Sequence, residues 1–312
     1  MLHHCRVQAE KPDVAGPSLT RALIGRHGAG RADTYDAALL DVAQDHALWL
    51  LAELGLFADG SLVFKGGTSL RKCRLGGAGR FSTDLDFAAP DDDTVLEVCG
   101  AIDGALVAGF KFSLTPTRGD GRHWNLAVDH PDLGRPNIPA SVEFARRPLV
   151  LAPEVLPFVA LPVHRGYDMA LPSLPVIAEA EACAEKLARY RRTALGRDVY
   201  DLAQMASRPI DEPLVRRLWV LKVWDDVVDD RRGEGPLDPA DVLTERREQD
   251  FASESIGVLT QPIDLAGWER AVRHRYGFLA DLDDSEHRWA ACDPRHRREV
   301  EATLAAGGFP PD

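Results

Sequence analysis

The segment from Ser61 to Phe87 constrains the fold and chemistry of this chain more than any other part. An apolar run ends at Lys65 and two glycines, and the sequence predicts that a helix begins at Thr68. A second short strand, with the sequence Asp-Leu-Asp-Phe, starts at Asp84. Because successive side chains of a strand point to opposite faces, Asp84 and Asp86 are predicted to share one face, with apolar neighbours packed behind them.

The glycine turn is predicted to bind phosphate. Glycine lets a backbone turn tightly and approach a ligand closely, and a helix start offers unpaired N–H groups and partial positive charge. We therefore expect Gly66, Gly67 and Ser69 to hold the β- and γ-phosphates of a nucleotide, with helix capping as the structural alternative for Ser69. Lys65 is either a phosphate ligand or a solvated strand end, and Arg80 either clamps phosphate or pairs with a carboxylate.

Asp84 and Asp86 are the predicted metal ligands. Two neighbouring carboxylates repel each other unless a divalent cation lies between them, and hard cations such as Mg²⁺ prefer oxygen ligands. Metal-assisted nucleotidyl transfer uses two ions about 3.5–4 Å apart. A third carboxylate is expected from a neighbouring strand, and Glu143, which alternates with apolar residues, and Asp129 are the candidates. No Gly-Lys-Ser/Thr follows the glycines, which argues against a P-loop.

Four short motifs resemble those of the AbiEii/AbiGii-type abortive-infection toxins, a family of DNA polymerase β-like nucleotidyltransferases that includes the MenT toxins of mycobacteria. The first is Lys65-Gly-Gly-Thr-Ser-Leu70 with Arg80-Phe-Ser82 and Asp84-Leu-Asp86-Phe87. The others are Glu185–Arg192, Arg197–Leu202 and the upstream Gln44-Asp45-His46. The resemblance is strong from about residue 40 to about residue 205 and weaker beyond.

The resemblance implies roles for further residues. It implies that Lys186 contacts the triphosphate, and Arg189 lies on the same helical face three residues on. Asp198 and Asp201 match the family's Arg-Asp-x-x-Asp. Asp198 is expected to bind the nucleotide, and Asp201 is expected to orient Lys186 or to activate the acceptor. A charge network at the helix start is the structural alternative for this pair. The resemblance also favours Glu143 as the third carboxylate.

As a whole, the resemblance implies a toxin of a toxin–antitoxin pair. Such an enzyme transfers nucleotides from an NTP to the 3′ end of tRNA, depends on Mg²⁺, blocks translation and has a cognate antitoxin protein as partner. Two alternatives remain open on the residues alone. One keeps the chemistry but modifies a protein hydroxyl or an aminoglycoside, and the other is an NTP-binding regulatory module without catalysis.

Bulk composition limits the function classes. The net charge of −12 argues against general nucleic-acid binding, which depends on neutralising phosphates, although clustered arginines allow a local basic surface. No run approaches the ~18 apolar residues of a membrane span, and no secretory signal is recognisable. The five cysteines are odd in number and lack Cys-x-x-Cys spacing, which favours a reducing cytoplasm.

The order of predicted elements indicates an α+β fold. We expect a loose N-terminal extension over residues 1–35 and a polymerase β-like nucleotidyltransferase domain with a mixed sheet over residues 36–165. A mostly helical C-terminal domain is predicted over residues 166–312. The proline-rich stretch between residues 148 and 175 marks the predicted boundary, because proline interrupts both helices and central strands.

Overall fold

A computed structural model describes residues 19–117, 119, 121–251 and 256–308. The strands are β1 (Val63–Lys65), β2 (Asp84–Ala88), β3 (Leu106–Val107), β4 (Phe110–Pro116), β5 (His123–Asp129), β6 (Ser141–Ala145), β7 (Glu154–Pro157) and β8 (Ser173–Val176). The helices of the first half are α1 (Arg21–His27), α2 (Tyr35–Glu53), α3 (Gly66–Leu70) and α4 (Asp92–Ile102). Those of the second half are α5 (Glu179–Arg192), α6 (Gly196–Met205), α7 (Glu212–Trp224), α8 (Ala240–Leu243), α9 (Leu265–Arg275), α10 (Asp284–Ala290) and α11 (Arg297–Ala305).

The strands form one mixed sheet in the order β3-β4-β5-β6-β2-β1-β8-β7. β2 pairs with β1 in antiparallel and with β6 in parallel orientation, while β1 and β8 are parallel. The α+β prediction with a mixed sheet is confirmed. After Val176, the described residues form helices and connecting segments and add no further strand.

α2 lies in the centre of the core. Residues on most of its sides are buried, including Asp41, Gln44, Asp45 and His46. A helix enclosed on all sides must satisfy its polar groups internally, because burying an unpaired polar group costs free energy. The charged members of α2 accordingly bind Arg71 and Lys72.

Two predicted boundaries differ from the structure. Residues 21–27 form α1, which is capped by the Thr20 side chain and buries Ile24, so the second half of the predicted loose extension is ordered. Residues 1–18 lie outside the described part of the chain. β8 belongs to the sheet although it follows residue 165, and the division of the chain into domains stays a prediction.

The proline-rich stretch contains two strands that the sequence pattern did not predict. β7 pairs with β8 from Glu154 to Pro157 and is the edge strand of the sheet. Proline is tolerated in an edge strand because its missing N–H can face away from the neighbouring strand. None of the helices described here combines the length and the apolar character that crossing a membrane requires.

Candidate active site

Four polar residues lie side by side across the middle of the sheet. Lys65 on β1 pairs with Asp86 on β2, Asp86 pairs with Glu143 on β6, and Glu143 pairs with His123 on β5. We call Lys65, Asp86, Glu143 and His123 the polar row. Because the strands of a sheet lie about 4.8 Å apart, the row extends over roughly 14 Å. The sheet register therefore brings together residues that are up to 78 positions apart in sequence.

An aromatic layer supports the row from behind. Each polar residue on β1, β2 and β6 has a phenylalanine as its direct sequence neighbour, namely Phe64, Phe87 and Phe144. Because neighbouring side chains of a strand point to opposite faces, these rings lie behind the polar row. All three are buried, and the ring of Phe87 lies 5.7 Å from those of Phe64 and Phe144. Each buried phenyl ring contributes about 1.5–3 kcal/mol, so this layer fixes the register that positions the carboxylates.

The predicted carboxylates share one face of the sheet. Asp84 and Asp86 are half-buried, while Leu85 between them is fully buried, as predicted. The Ser141 hydroxyl lies 2.9 Å from Asp84 Oδ1 and 3.0 Å from Glu143 Oε1, so its proton serves one carboxylate at a time. Burial raises the pKa of Asp86 to about 6, and the negative charges of Asp84 and Glu143 add to the rise.

Glu143, not Asp129, completes this group. Asp129 is exposed at the opposite end of β5, where it pairs with Lys111. It lies six residues beyond His123, which corresponds to roughly 20 Å along an extended strand.

The donor set suits a divalent cation. No group of three or more His, Cys, Asp or Glu residues in the described ranges is already close enough to hold a metal ion. Asp84, Asp86 and Glu143 nevertheless supply the oxygen donors that Mg²⁺ prefers, on two adjacent strands. Burial first, and then the negative charges of Asp84 and Glu143, raise the pKa of Asp86, and a divalent cation would offset this repulsion. These residues therefore fit the predicted ion.

The polar row forms one wall of a cavity of about 380 Å³. Helices α5 and α7 form the facing wall, with Lys186, Arg189 and Lys222 among the lining residues. Carboxylates on the sheet thus face cations on the helices, which is the charge arrangement that a metal-bound triphosphate requires. Gly66 also lines this cavity, whereas Gly67, Ser69 and Arg80 do not. Asp84, two residues before Asp86 on the same face of β2, lies outside the lining as well.

Gly66 is required by the site itself. Its φ is +78°, a conformation that L side chains rarely adopt, and a Cβ at this position would overlap the carboxylate of Asp86. A Cβ on Gly67 would similarly overlap the Arg80 guanidinium. The two glycines therefore let the side chains of Asp86 and Arg80 pack directly against the backbone. The predicted role was only to let a ligand come close to that backbone.

We expect Gly66→Ala to reduce both activity and stability. The added methyl group displaces Asp86, and the positive φ adds about 1–2 kcal/mol of strain. Thermal melting and transferase rate measure the two effects. Gly100→Ala is the matched control, because a Cβ at this helical position of α4 meets no atom within 4 Å. Alanine there should stabilise by about 0.5–1 kcal/mol. Equal effects of both substitutions would contradict the steric explanation.

The helix after the glycines differs from its prediction. α3 begins at Gly66, two residues before Thr68, and no side chain caps it. Ser69 is fully buried and its hydroxyl donates to the carbonyl oxygen of Gly66, so the predicted phosphate contact of this hydroxyl is wrong. Thr68 instead donates to the carbonyl oxygen of Asp84 at 2.5 Å, which ties α3 to β2.

Lys65 is held by a carboxylate that the sequence analysis did not identify. Its Nζ lies 2.9 Å from Glu185 Oε1, and Lys222 Nζ lies 3.5 Å from the same oxygen. Burial opposes ionisation of Glu185, but the two lysines outweigh it and lower its pKa to about 2. Lys65 is thus a member of the cavity wall and not a solvated strand end. Glu185 was recognisable only as the residue before Lys186.

Lys186 and Arg80 meet at Asp201. Lys186 Nζ lies 2.7 Å from Asp201 Oδ2, and Arg80 donates to both carboxylate oxygens at 3.2 and 3.3 Å. Each of the three side chains is at most 7% exposed. Burial opposes ionisation of Asp201, yet Arg80 and Lys186 outweigh it and lower its pKa. Arg80 therefore pairs with a carboxylate and does not reach the cavity, and Asp201 orients Lys186.

Asp198 holds Arg189 in the way that Asp201 holds Lys186. The Arg189 guanidinium donates through two nitrogens to both oxygens of Asp198, which is fully buried. Arg189 lines the cavity and its charge acts on Asp86, whereas Asp198 does not line it. Asp198 was predicted to contact nucleotide, but its position makes it a support for Arg189.

The upstream Gln44-Asp45-His46 motif is structural. Asp45 binds Lys72 Nζ at 2.5 Å and the Tyr167 hydroxyl at 2.5 Å, and all three side chains are buried. Lys72 belongs to the π-helical turn Arg71–Leu75 that continues α3. The motif therefore anchors the far end of the glycine-turn helix in α2.

The other end of the cavity carries arginines and aspartates. Arg147 Nη1 lies 2.6 Å from Asp225 Oδ2, and its Nη2 lies 2.9 Å from Asp230 Oδ1. Arg192, one turn beyond Arg189 on α5, pairs with Asp226. All five side chains line the cavity, and none of them was a predicted site residue. His123 was also missed, since only its place at the start of β5 marked it.

Comparison with known proteins identifies the family of this chain. The family model described as nucleotidyl transferase AbiEii toxin, type IV toxin–antitoxin system, matches residues 49–292. MenT4, a nucleotidyltransferase toxin from Mycobacterium tuberculosis H37Rv, is 68% identical with a TM-score of 0.90, covering 93% of this chain and 99% of its own. JHP933 from Helicobacter pylori is 17% identical, with a TM-score of 0.44, covering 81% of this chain and 95% of its own. The search of curated protein sequences gave no match.

Fold and site define a nucleotidyltransferase: carboxylates on neighbouring strands face cations across one cavity. The family model covers most of the chain, including every candidate site residue from Lys65 to Asp201. The chain belongs to the AbiEii family of nucleotidyltransferase toxins. The predicted resemblance is thereby confirmed.

Proposed function

We propose that this toxin transfers nucleotides from an NTP to the 3′ end of tRNA and so blocks translation. One observation carries the transferase part: Asp86 and Glu143 on adjacent strands face Lys186 and Arg189 across a single cavity. The tRNA acceptor, the cytoplasmic location and a cognate antitoxin come from family membership. An RNA acceptor also agrees with the arginines at the far end of the cavity.

The proposed reaction is an in-line substitution at the α-phosphorus. The 3′-oxygen of the acceptor forms a bond to the α-phosphorus, the bond to the bridging oxygen of the β-phosphate breaks, and pyrophosphate leaves. The hydroxyl proton passes to solvent. When bound, Mg²⁺, expected as two ions, supplies positive charge that lowers the barrier to attack and stabilises the leaving group.

The residues of the chain have distinct proposed roles in this reaction. Asp84 and Asp86 bind the metal ions, with Glu143 as the third carboxylate. Lys186 and Arg189 bind the β- and γ-phosphates, whose charge grows as the bond breaks. The backbone N–H group of Gly66 and the Lys65 ammonium group, which both line the cavity, are proposed as additional phosphate contacts. Asp201 and Asp198 hold the two cations in position.

The test is label transfer from each α-³²P-labelled NTP to total RNA, resolved on a denaturing gel. We expect label at the size of tRNA with one or few of the NTPs, lost with EDTA and restored by Mg²⁺. Labelled product that resists RNase and is removed by protease would assign the acceptor as a protein. Nucleotide binding without transfer to RNA, protein or aminoglycoside would contradict the enzyme proposal.

A further inference from the structure

The polar row gives the active site a direction. Lys65 lies at one end, the carboxylates Asp86 and Glu143 lie in the middle, and His123 lies at the other end. We propose that the RNA acceptor enters at the His123 end, where His123 contacts its terminal nucleotide and Arg147 binds a phosphate of the acceptor strand. This inference rests on the proposed transferase function and adds the residues that recognise the second substrate.

The triphosphate end is fixed by contacts on the Lys65 side. Arg80 lies against Gly67, two residues after Lys65 in sequence, and shares Asp201 with Lys186. Lys186 is thereby held beside the glycine turn. Lys65 itself binds Glu185, in the same turn of α5. The cations that suit a leaving pyrophosphate are therefore gathered at this end of the row.

In-line geometry then places the acceptor. In phosphoryl and nucleotidyl transfer, the attacking and leaving oxygens lie on opposite sides of the phosphorus. With the α-phosphorus at Asp86 and pyrophosphate toward Lys65, the attacking hydroxyl approaches across Glu143 from the His123 side. The acceptor strand behind that hydroxyl must pass over the start of β5 and the end of β6, where His123 and Arg147 line the cavity.

Arg147 is placed to exchange partners on RNA binding. Its guanidinium is held between Asp225 and Asp230, and both Arg147 and Asp230 are 32% exposed as side chains. Asp225 is only 12% exposed and stays as a fixed anchor. A phosphate can take the place of the more exposed Asp230, since bidentate arginine–phosphate pairs form the stronger type of hydrogen bond. On a chain with net charge −12, RNA binding needs such a local cation.

His123 is suited to the terminal nucleotide. Single-stranded RNA ends are recognised by stacking of unpaired bases on flat side chains, histidine among them. His123 is half-buried in the cavity wall, next to Glu143 across the strand pair. A base stacked there would leave its ribose hydroxyl above the carboxylates.

The experiment compares RNA and NTP parameters in three variants of the full chain. We expect His123→Ala and Arg147→Ala to raise the KM for tRNA about tenfold, as loss of one stacking or phosphate contact does, with the NTP KM within about twofold. Arg147→Ala should also lower the slope of log Kd against log salt by ~0.7. Asp230→Asn should tighten tRNA binding about threefold, because it removes the carboxylate that competes with phosphate.

The controls remove the same groups elsewhere. His287→Ala and Arg295→Ala alter exposed side chains on the C-terminal helical segments, and both should leave the KM for tRNA unchanged. Asp230→Asn distinguishes a binding role of Arg147 from a structural one. If Arg147 only stabilises the fold, losing its partner Asp230 should weaken tRNA binding, whereas a binding role should strengthen it. The Asp230→Asn variant also tests the role of Arg147 if Arg147→Ala fails to fold.

Two results would overturn the inference while the transferase function stands. One is an active wild type whose tRNA KM is unchanged in His123→Ala and Arg147→Ala. The other is a rise in the NTP KM instead, which would place the triphosphate at the His123 end. A wild type that labels no RNA contradicts the proposed function itself, and the inference fails with it.

Discussion

Replacing Asp86 by asparagine is expected to abolish nucleotide transfer and to leave the fold intact or more stable. Asp86 is the carboxylate that contacts the glycine turn and lies between Lys65 and Glu143 in the sheet. Losing a proposed metal ligand removes charge stabilisation at the reacting phosphate, so the rate should fall roughly 10³-fold or more. Gel-based transfer assays at saturating NTP and Mg²⁺ measure the loss.

The stability effect of Asp86→Asn has a defined sign. Since burial and the neighbouring carboxylates raise the pKa of Asp86 to about 6 from 3.8, its ionised form destabilises the folded state. In EDTA, the Asp86→Asn variant should therefore melt above wild type at pH 8, and the difference should shrink as the pH falls from about 6 to about 4. Mg²⁺ should raise the melting temperature of wild type but much less that of the variant, because ligands stabilise the state they bind.

Asp129→Asn is the matched control for Asp86→Asn. It makes the same chemical change at the exposed carboxylate that sequence reasoning held as the rival third ligand. Activity and Mg²⁺-dependent stabilisation should both stay at the wild-type level. Retained activity in Asp86→Asn, or equal loss in Asp129→Asn, would contradict the assignment of the site.

Replacing Asp201 by alanine should cause the largest loss of stability of any single change at the site. Arg80 and Lys186 would remain buried with their shared carboxylate gone, and breaking a buried ion pair in this way costs about 3–5 kcal/mol. In a chain of this size, the melting temperature should fall by roughly 10 °C. Activity should be lost as well, because Lys186 is no longer held at the cavity.

Lys186→Met separates the catalytic role from the structural one. It leaves Asp201 paired with Arg80, so the fall in melting temperature should be much smaller than in Asp201→Ala, while transfer should drop about 100-fold or more. If Lys186→Met kept full activity, the proposed triphosphate contact would be wrong. Comparable destabilisation in both variants would show that Arg80 alone cannot stabilise Asp201.

Acid should weaken the same ion pair. The pKa of Asp201 is lowered in the folded state, so its contribution is present above its ordinary value of 3.8 and is lost as the pH falls below it. Lys186→Met should reduce this acid sensitivity, since one of the two cations that lower the pKa is gone. Urea unfolding at about pH 5 and about pH 3, on either side of that ordinary value, measures the difference.

The sequence was sufficient to place the carboxylates of β2 on one face of the strand. Alternation of Asp84, Leu85 and Asp86 predicted which side chains share a face, because side-chain direction in a strand depends only on position. The α+β class followed from the order of short strands and longer helical patterns. Glu143 could be named as a candidate but not chosen over Asp129, because the choice depends on which end of β5 lies beside β6.

Tertiary structure decided which charges bind one another. Ser69 and Asp198 were expected at the phosphate, and Arg80 either there or at a carboxylate. Ser69 binds the Gly66 carbonyl in its own helix and Asp198 binds Arg189 on the preceding helix. Arg80 binds Asp201, which is 121 positions away in sequence. Likewise, Glu185, His123 and Arg147 became site residues only through packing of α5 and the pairing of β5 with β6. Local sequence fixes the direction of a side chain along its own strand or helix. Its partner is determined by register and helix packing, which depend on the whole core.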